Sequence, residues 1–111
     1  MTLLYLNSDQ MGIGEDKDLG RRLLIQFLAK LADSSTTIDL VGCVNTGVFL
    51  TTEGSEALPH LKVLEARGAR IASCRTCVEH YGLQDKLAVG GVGTMEQSIQ
   101  AMAMADKVIR P

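Results

Sequence analysis

Ala69-Arg70-Ile71-Ala72-Ser73-Cys74-Arg75-Thr76-Cys77-Val78-Glu79-His80-Tyr81-Gly82 changes character in its middle. Its first five residues are a short apolar run that reads as a strand. Val78 to Tyr81 read as a short helix closed by Gly82. Between them stand two cysteines in a C-x-x-C turn. A thiol at a strand-to-helix junction lies near the positive end of the helix dipole, where the thiolate, the reactive form, is favoured.

The same strand-then-helix pattern recurs on both sides of this turn. Thr2 to Asn7 reads as a buried first strand, and Ser8 to Asp18 as a polar loop. A helix follows with the apolar stripe Leu19, Leu23, Leu24, Phe27, Leu28 and Leu31, capped by Asp16 or Asp18. Ile38 to Val44 is a second strand, apolar enough to be covered on both faces. Val48-Phe49-Leu50 is a short apolar patch with no readable period. The next helix has Ser55 as its cap and Pro59 in its first turn. It turns Leu58, Leu61 and Leu64 inward and stops at Gly68. Lys86 to Val89 reads as strand four and Gly90 to Gly93 as a turn. Thr94 and Gln97 form a capping-box pattern for a last helix that buries Met95, Ile99 and Met102. Ala105 to Ile109 is the fifth strand. This alternation predicts an α/β fold, three-layer α/β/α, around a five-stranded, mainly parallel sheet. Ligands gather at the carboxyl ends of such strands, where the Cys turn belongs.

The 111 residues make one domain, 1–111, and 46% hydrophobic content is enough for a core. Two Tyr, two Phe and no Trp give no base-stacking platform, and a net charge of −2 gives no basic footprint, so no nucleic acid partner is expected. No apolar run is long enough to cross a membrane, and the N-terminus reads as a strand rather than a leader; a cytoplasmic location is expected. Three cysteines is an odd number, which in a reducing compartment points to free or metal-binding thiols.

Cys74 and Cys77 can cycle between dithiol and disulfide, carry a persulfide, or be two packing residues. With His80 they offer three zinc ligands, but a structural site needs four, and only Cys43 and His60 remain; no metal and no cofactor are expected. Cys43 reads as core. His80 stands one turn from Cys77, where an imidazolium would lower a thiol pKa, or it is a solvated helix residue. Gly12-Ile13-Gly14-Glu15-Asp16-Lys17 lacks the third glycine of a dinucleotide loop and the Gly-Lys-Ser/Thr of a P-loop. Asn45 and Thr46 follow strand two, where turn chemistry or a site-lining role would each account for them.

Taken in order, several pieces resemble the DsrE/DsrF-like sulfur-relay family, in its YedF-type branch, which is sulfurtransferase-like and linked to selenium metabolism. They are Gly12-x-Gly14-Glu15 leading to Asp18-Leu19-Gly20, Asn45-x-Gly47-Val48, Leu61-x-x-Leu64-Glu65-x-x-Gly68, Cys74-x-Thr76-Cys77 before Tyr81-Gly82-Leu83, and Val89-Gly90 with Met95. The resemblance spans the whole chain. It implies a homo-oligomer, a trimer or hexamer, and a persulfide on Cys74 with Cys77 as partner thiol. Gly12, Gly14, Asn45, Arg75, Thr76 and His80 then fall around the binding site. A sulfur-carrier protein or a cysteine desulfurase would be its partner. Two departures stand out. Arg75 replaces the glycine of the family's Cys-Gly-Thr-Cys turn, and the chain starts at its first strand without the family's N-terminal sulfur-carrier domain. The expected function is transfer or carriage of sulfane sulfur. A non-catalytic assembly module and a dithiol redox protein are the alternatives.

Overall fold

Thr2–Leu6 (β1) alternates its side chains between two environments: Leu4 and Leu6 enter the main core, while Leu3 and Tyr5 face the other way. The computed structural model describes residues 1–111. After β1 come α1 (Lys17–Asp33), β2 (Leu40–Cys43), a 3₁₀ helix (Asn45–Thr51), α2 (Leu58–Ala66), β3 (Arg70–Cys74), α3 (Arg75–His80), β4 (Gly91–Gly93), α4 (Met95–Met104) and β5 (Lys107–Ile109). All five strands are parallel, in the order β4-β3-β2-β1-β5.

That order decides the layers. From β1 to β4 the chain steps always in one direction, and then it crosses back to place β5 beside β1. Right-handed crossovers put the helices of the first three steps on one face and that of the return step on the other. Accordingly α1, α2 and α3 cover one face over Leu4, Leu6, Val41, Cys43 and Ile71, and α4 covers the second alone. The predicted α/β/α sandwich is thus the observed one, unevenly filled.

Local chemistry sets the element ends. Asp16 caps α1 by accepting the Leu19 N–H at 3.1 Å. Thr94 and Gln97 close the capping box of α4. Gly68, at φ +108°, ends α2 in the left-handed region that glycine enters without strain. At the chain start, Met1 forms an ion pair with Asp106 and its carbonyl accepts the Asp106 N–H at 2.9 Å.

Several expectations are corrected. Strand four is Gly91–Gly93, not Lys86–Val89. The latter run instead pairs with the end of the 3₁₀ helix: Ala88 N–H donates to the Thr51 carbonyl at 2.8 Å and Glu53 N–H to the Lys86 carbonyl at 2.9 Å, while Val89 is buried. The unread patch Val48–Leu50 lies in that 3₁₀ helix. Met95, Ile99 and Met102 are not buried: they are 53%, 63% and 40% exposed, and α4 turns Ala101 to the sheet instead. Leu19 and Leu23 are likewise exposed, α1 burying Gly20, Leu24, Leu28 and Leu31.

Candidate functional site

β3 hands the chain to α3 on one face of the sheet, while its neighbour β4 hands it to α4 on the other. The crevice outside their carboxyl ends is the switch point where α/β folds bind ligands. Cys74 is the last residue of β3 and pairs in register with Gly93, the last of β4. It lines a cleft of about 400 Å³ between the sheet and α4, whose walls include Tyr5, Gly42, Ala72, Thr94 and Gln97. Gly93 keeps that crevice narrow, since a Cβ there would stand 3.1 Å from the Ala72 Cβ.

Cys77 lies in the first turn of α3, three residues after Cys74. Both are free and partly buried. The Cys77 sulfur also accepts the Asn45 N–H at 3.1 Å. Asn45 is the one non-glycine residue in the left-handed region, at φ 55°, a conformation asparagine tolerates better than most residues. Strain of this kind persists where the surroundings impose it. Here the next turn does so. Gly47 lies so close to the Leu6 carbonyl that a Cβ would collide with it, and Thr46 Oγ1 accepts the Asp9 N–H at 3.2 Å.

A buried hydroxyl pair fixes the 3₁₀ helix to β3. Thr51 Oγ1 donates to the Val48 carbonyl at 2.9 Å, so in its 2.8 Å contact with Ser73 Oγ it is the acceptor and Ser73 the donor. Ser73 immediately precedes Cys74. Phe49 adds a tilted ring contact on Tyr81, with centroids 4.6 Å apart, at the end of α3.

The electrostatics correct one expectation. Burial pushes the Cys77 thiol above its ordinary value; the Asn45 N–H pulls it back in part, and the neighbouring Cys74 adds smaller rises. Cys77 therefore keeps its proton at neutral pH, and the short α3 does not make it a ready thiolate. Burial pushes the Cys43 thiol up to about 12, as befits the core residue it was read to be.

The structure brings together Cys74, Cys77 and Asn45 from the predicted set. Arg75, Thr76 and His80 stand on α3 exposed to solvent, His80 edge-on to the Tyr81 ring at 5.0 Å. Gly12 and Gly14 lie exposed in the loop after β1, with no atom within 4 Å of where a Cβ would be. No third Cys, His, Asp or Glu joins the thiol pair in a metal-binding group. No helix is long and apolar enough to cross a membrane. Sequence reading missed Tyr5, Gly42 and the Thr51–Ser73 pair. Strand parity places Tyr5 opposite Leu4 and Leu6, but only the register shows that it shares a face with Cys74.

A parallel five-stranded α/β/α sandwich with this strand order is consistent with a DsrE-like fold. The chain matches the crystal structure of the YchN protein from E. coli with a TM-score of 0.66 at 17% identity, covering 99% of this chain and 98% of that one. It matches MTH1491 from Methanobacterium thermoautotrophicum, a protein of unknown function, with a TM-score of 0.66 at 20% identity, covering 99% and 97%. No protein-family model and no curated protein matches the sequence.

Proposed function

We propose that this protein handles sulfane sulfur, carrying it as a persulfide on Cys74 with Cys77 as the resolving thiol. The observation that carries this reading is the pair of free thiols at the carboxyl end of β3, one opening on a cleft and the other held by the Asn45 N–H. The sulfur-relay resemblance of the sequence and the DsrE-like fold both support it.

The loading step is thiolate exchange. The Cys74 thiolate attacks the outer sulfur of a donor persulfide R–S–SH. A new S–S bond forms on Cys74 as the donor's S–S bond breaks, and the donor leaves as the thiolate R–S⁻. An acceptor nucleophile then takes the outer sulfur and returns Cys74 to thiolate. Without an acceptor, Cys77 gives up its proton and attacks the inner sulfur. Hydrosulfide leaves, and a Cys74–Cys77 disulfide remains until a dithiol reductant reopens it. Selenium in place of the outer sulfur follows the same path. In this reading the donor is a cysteine desulfurase or a sulfur-carrier protein in the cytoplasm. The exposed stripe Met95, Ile99 and Met102 supports a homo-oligomer.

Intact-mass spectrometry after incubation with a cysteine desulfurase and cysteine tests the reading. The wild type should gain the mass of one sulfur and Cys74→Ser none. Loading of Cys74→Ser would overturn the assignment to Cys74. An unloaded wild type, under conditions that load a known carrier, would overturn the function.

A further inference from the structure

Tyr5 stands on β1, beside the middle strand β2, on the same side of the sheet as Cys74, and the reading above gives it no part. In register it shares a row with Gly42 and Ala72, and Cys74 follows two residues after Ala72 on the same face of β3. That row is nearly empty of side chain between β1 and β3. A Cβ built on Gly42 would stand 3.4 Å from Tyr5 Cδ1 and 3.7 Å from Cε1. One edge of the ring therefore lies over Gly42, and the side chain leans from β1 across β2 towards β3.

We propose that Tyr5 is a hydrogen-bond donor of the sulfur site, laid across Gly42 so that its hydroxyl serves the anionic sulfur held on Cys74. This rests on the persulfide reading for its biological purpose and on geometry alone for its effect on the Cys74 thiolate.

Several other polar side chains of the cleft have fixed partners. Ser73 donates to Thr51 and Ser98 Oγ to the Thr94 carbonyl at 3.3 Å, while Thr94 Oγ1 and Gln97 Oε1 serve as acceptors in the capping box. Arg70 lines the cleft at the opposite end of β3. The electrostatics agree. Burial is the first cause that raises the Tyr5 phenol, and negative charge on Cys74 and then on Cys77 raises it further. A phenol that resists ionising keeps the proton it would donate. The other charged groups around the turn are Arg75, Glu79 and His80 on α3 and Glu96 on α4, all exposed; the 3₁₀ helix supplies none. A donor to an anionic sulfur favours the anion over the thiol and steadies a persulfide after loading.

The experiment is alkylation of Cys74 by iodoacetamide in a Cys77→Ser background, followed against pH with Tyr5 intact and with Tyr5→Phe. Loss of a hydrogen bond to a charged group should slow the reaction about tenfold at neutral pH. The deficit should close as the pH rises far enough to ionise the thiol in both proteins. Equal rates across the range would overturn the proposal. Gly42→Val keeps the hydroxyl but pushes the ring aside and should reproduce the deficit; a wild-type rate would overturn the role given to Gly42. With Tyr81→Phe leaving one phenol, the Tyr5 absorbance titration should move to lower pH when both thiols become serine. A titration that stays put would place Tyr5 out of reach and refute the assignment. If the wild type fails to load sulfur while Tyr5→Phe still slows alkylation, the persulfide reading falls and the Tyr5 donor stands.

Discussion

Replacing Thr51 by valine removes one hydroxyl and changes almost nothing in shape. Yet both Thr51 and Ser73 are fully buried, and the lost oxygen is both the acceptor for Ser73 and a donor to the Val48 carbonyl. Stranding the Ser73 donor without water costs about 1–3 kcal/mol, and the bond to Val48 adds about 1 kcal/mol. We expect Thr51→Val to lose about 2–4 kcal/mol. At this chain length that lowers the Tm by roughly 10–15 °C. Urea unfolding followed by circular dichroism in the presence of reductant should show a lower midpoint with an unchanged slope. Ser73→Ala leaves the Thr51–Val48 bond in place and should cost only about 1 kcal/mol. The double variant has no orphaned donor, so its loss should fall short of the sum of the singles by about 1 kcal/mol or more. The site should feel the change too, because the 3₁₀ helix carries Asn45, and a looser Asn45 N–H leaves the Cys77 thiol harder to ionise. A Thr51→Val protein within about 0.5 kcal/mol of wild type, or strict additivity in the double variant, would refute the reasoning.

Thiol titration of the native protein should find two reactive cysteines, rising to three in denaturant, because Cys43 is buried with its thiol pushed up to about 12. That raised thiol also fixes a sign: stability is intact below the ordinary thiol value of 9 and falls as the pH rises from there towards about 12, by up to about 1.4 kcal/mol per pH unit, a slope that Cys43→Ala should flatten in alkaline unfolding curves. Gly47→Ala drives a Cβ into the Leu6 carbonyl and should cost about 1–3 kcal/mol and slow Cys77 alkylation, whereas Gly14→Ala, with open space around it, should unfold at the wild-type midpoint. Thr94→Ala opens the α4 capping box and should lose about 0.5–2 kcal/mol in thermal unfolding.

The parallel sandwich was legible because most of its strands are apolar runs between capped helices, and the caps at Asp16, Thr94 and Gly68 mark themselves chemically. β4 was not legible, for a physical reason. Gly91-Val92-Gly93 has almost no strand propensity, and it joins the sheet because β3 offers it an edge. The more strand-like Lys86–Val89 is drawn off to the 3₁₀ helix. In α4 the spacing of Met95, Ile99 and Met102 announces an amphipathic helix correctly, but the side that faces the sheet is the one carrying Ala101, not the bulky stripe. Cys74 and Cys77 were readable from spacing and topology alone. Asn45 was one of two readings of a turn. Tyr5 was hidden, since its place beside Gly42 follows from strand register and leaves no mark in either segment by itself.

The return of the chain to β1 has a consequence for the order in which the molecule assembles. Strands β1 to β4 add one after another, each next to its predecessor, so most of the sheet can zip up while the chain is still emerging. The far side of β1 has to wait for Lys107–Ile109, more than a hundred residues later. Until then the strand carrying Leu4 and Leu6 presents a bare backbone edge, open to any other strand that meets it. Closure over so long a separation is slow to find. The ion pair between Met1 and Asp106 lies where this seam begins, and it holds the first and last strands together at the step that ends the sheet's exposure.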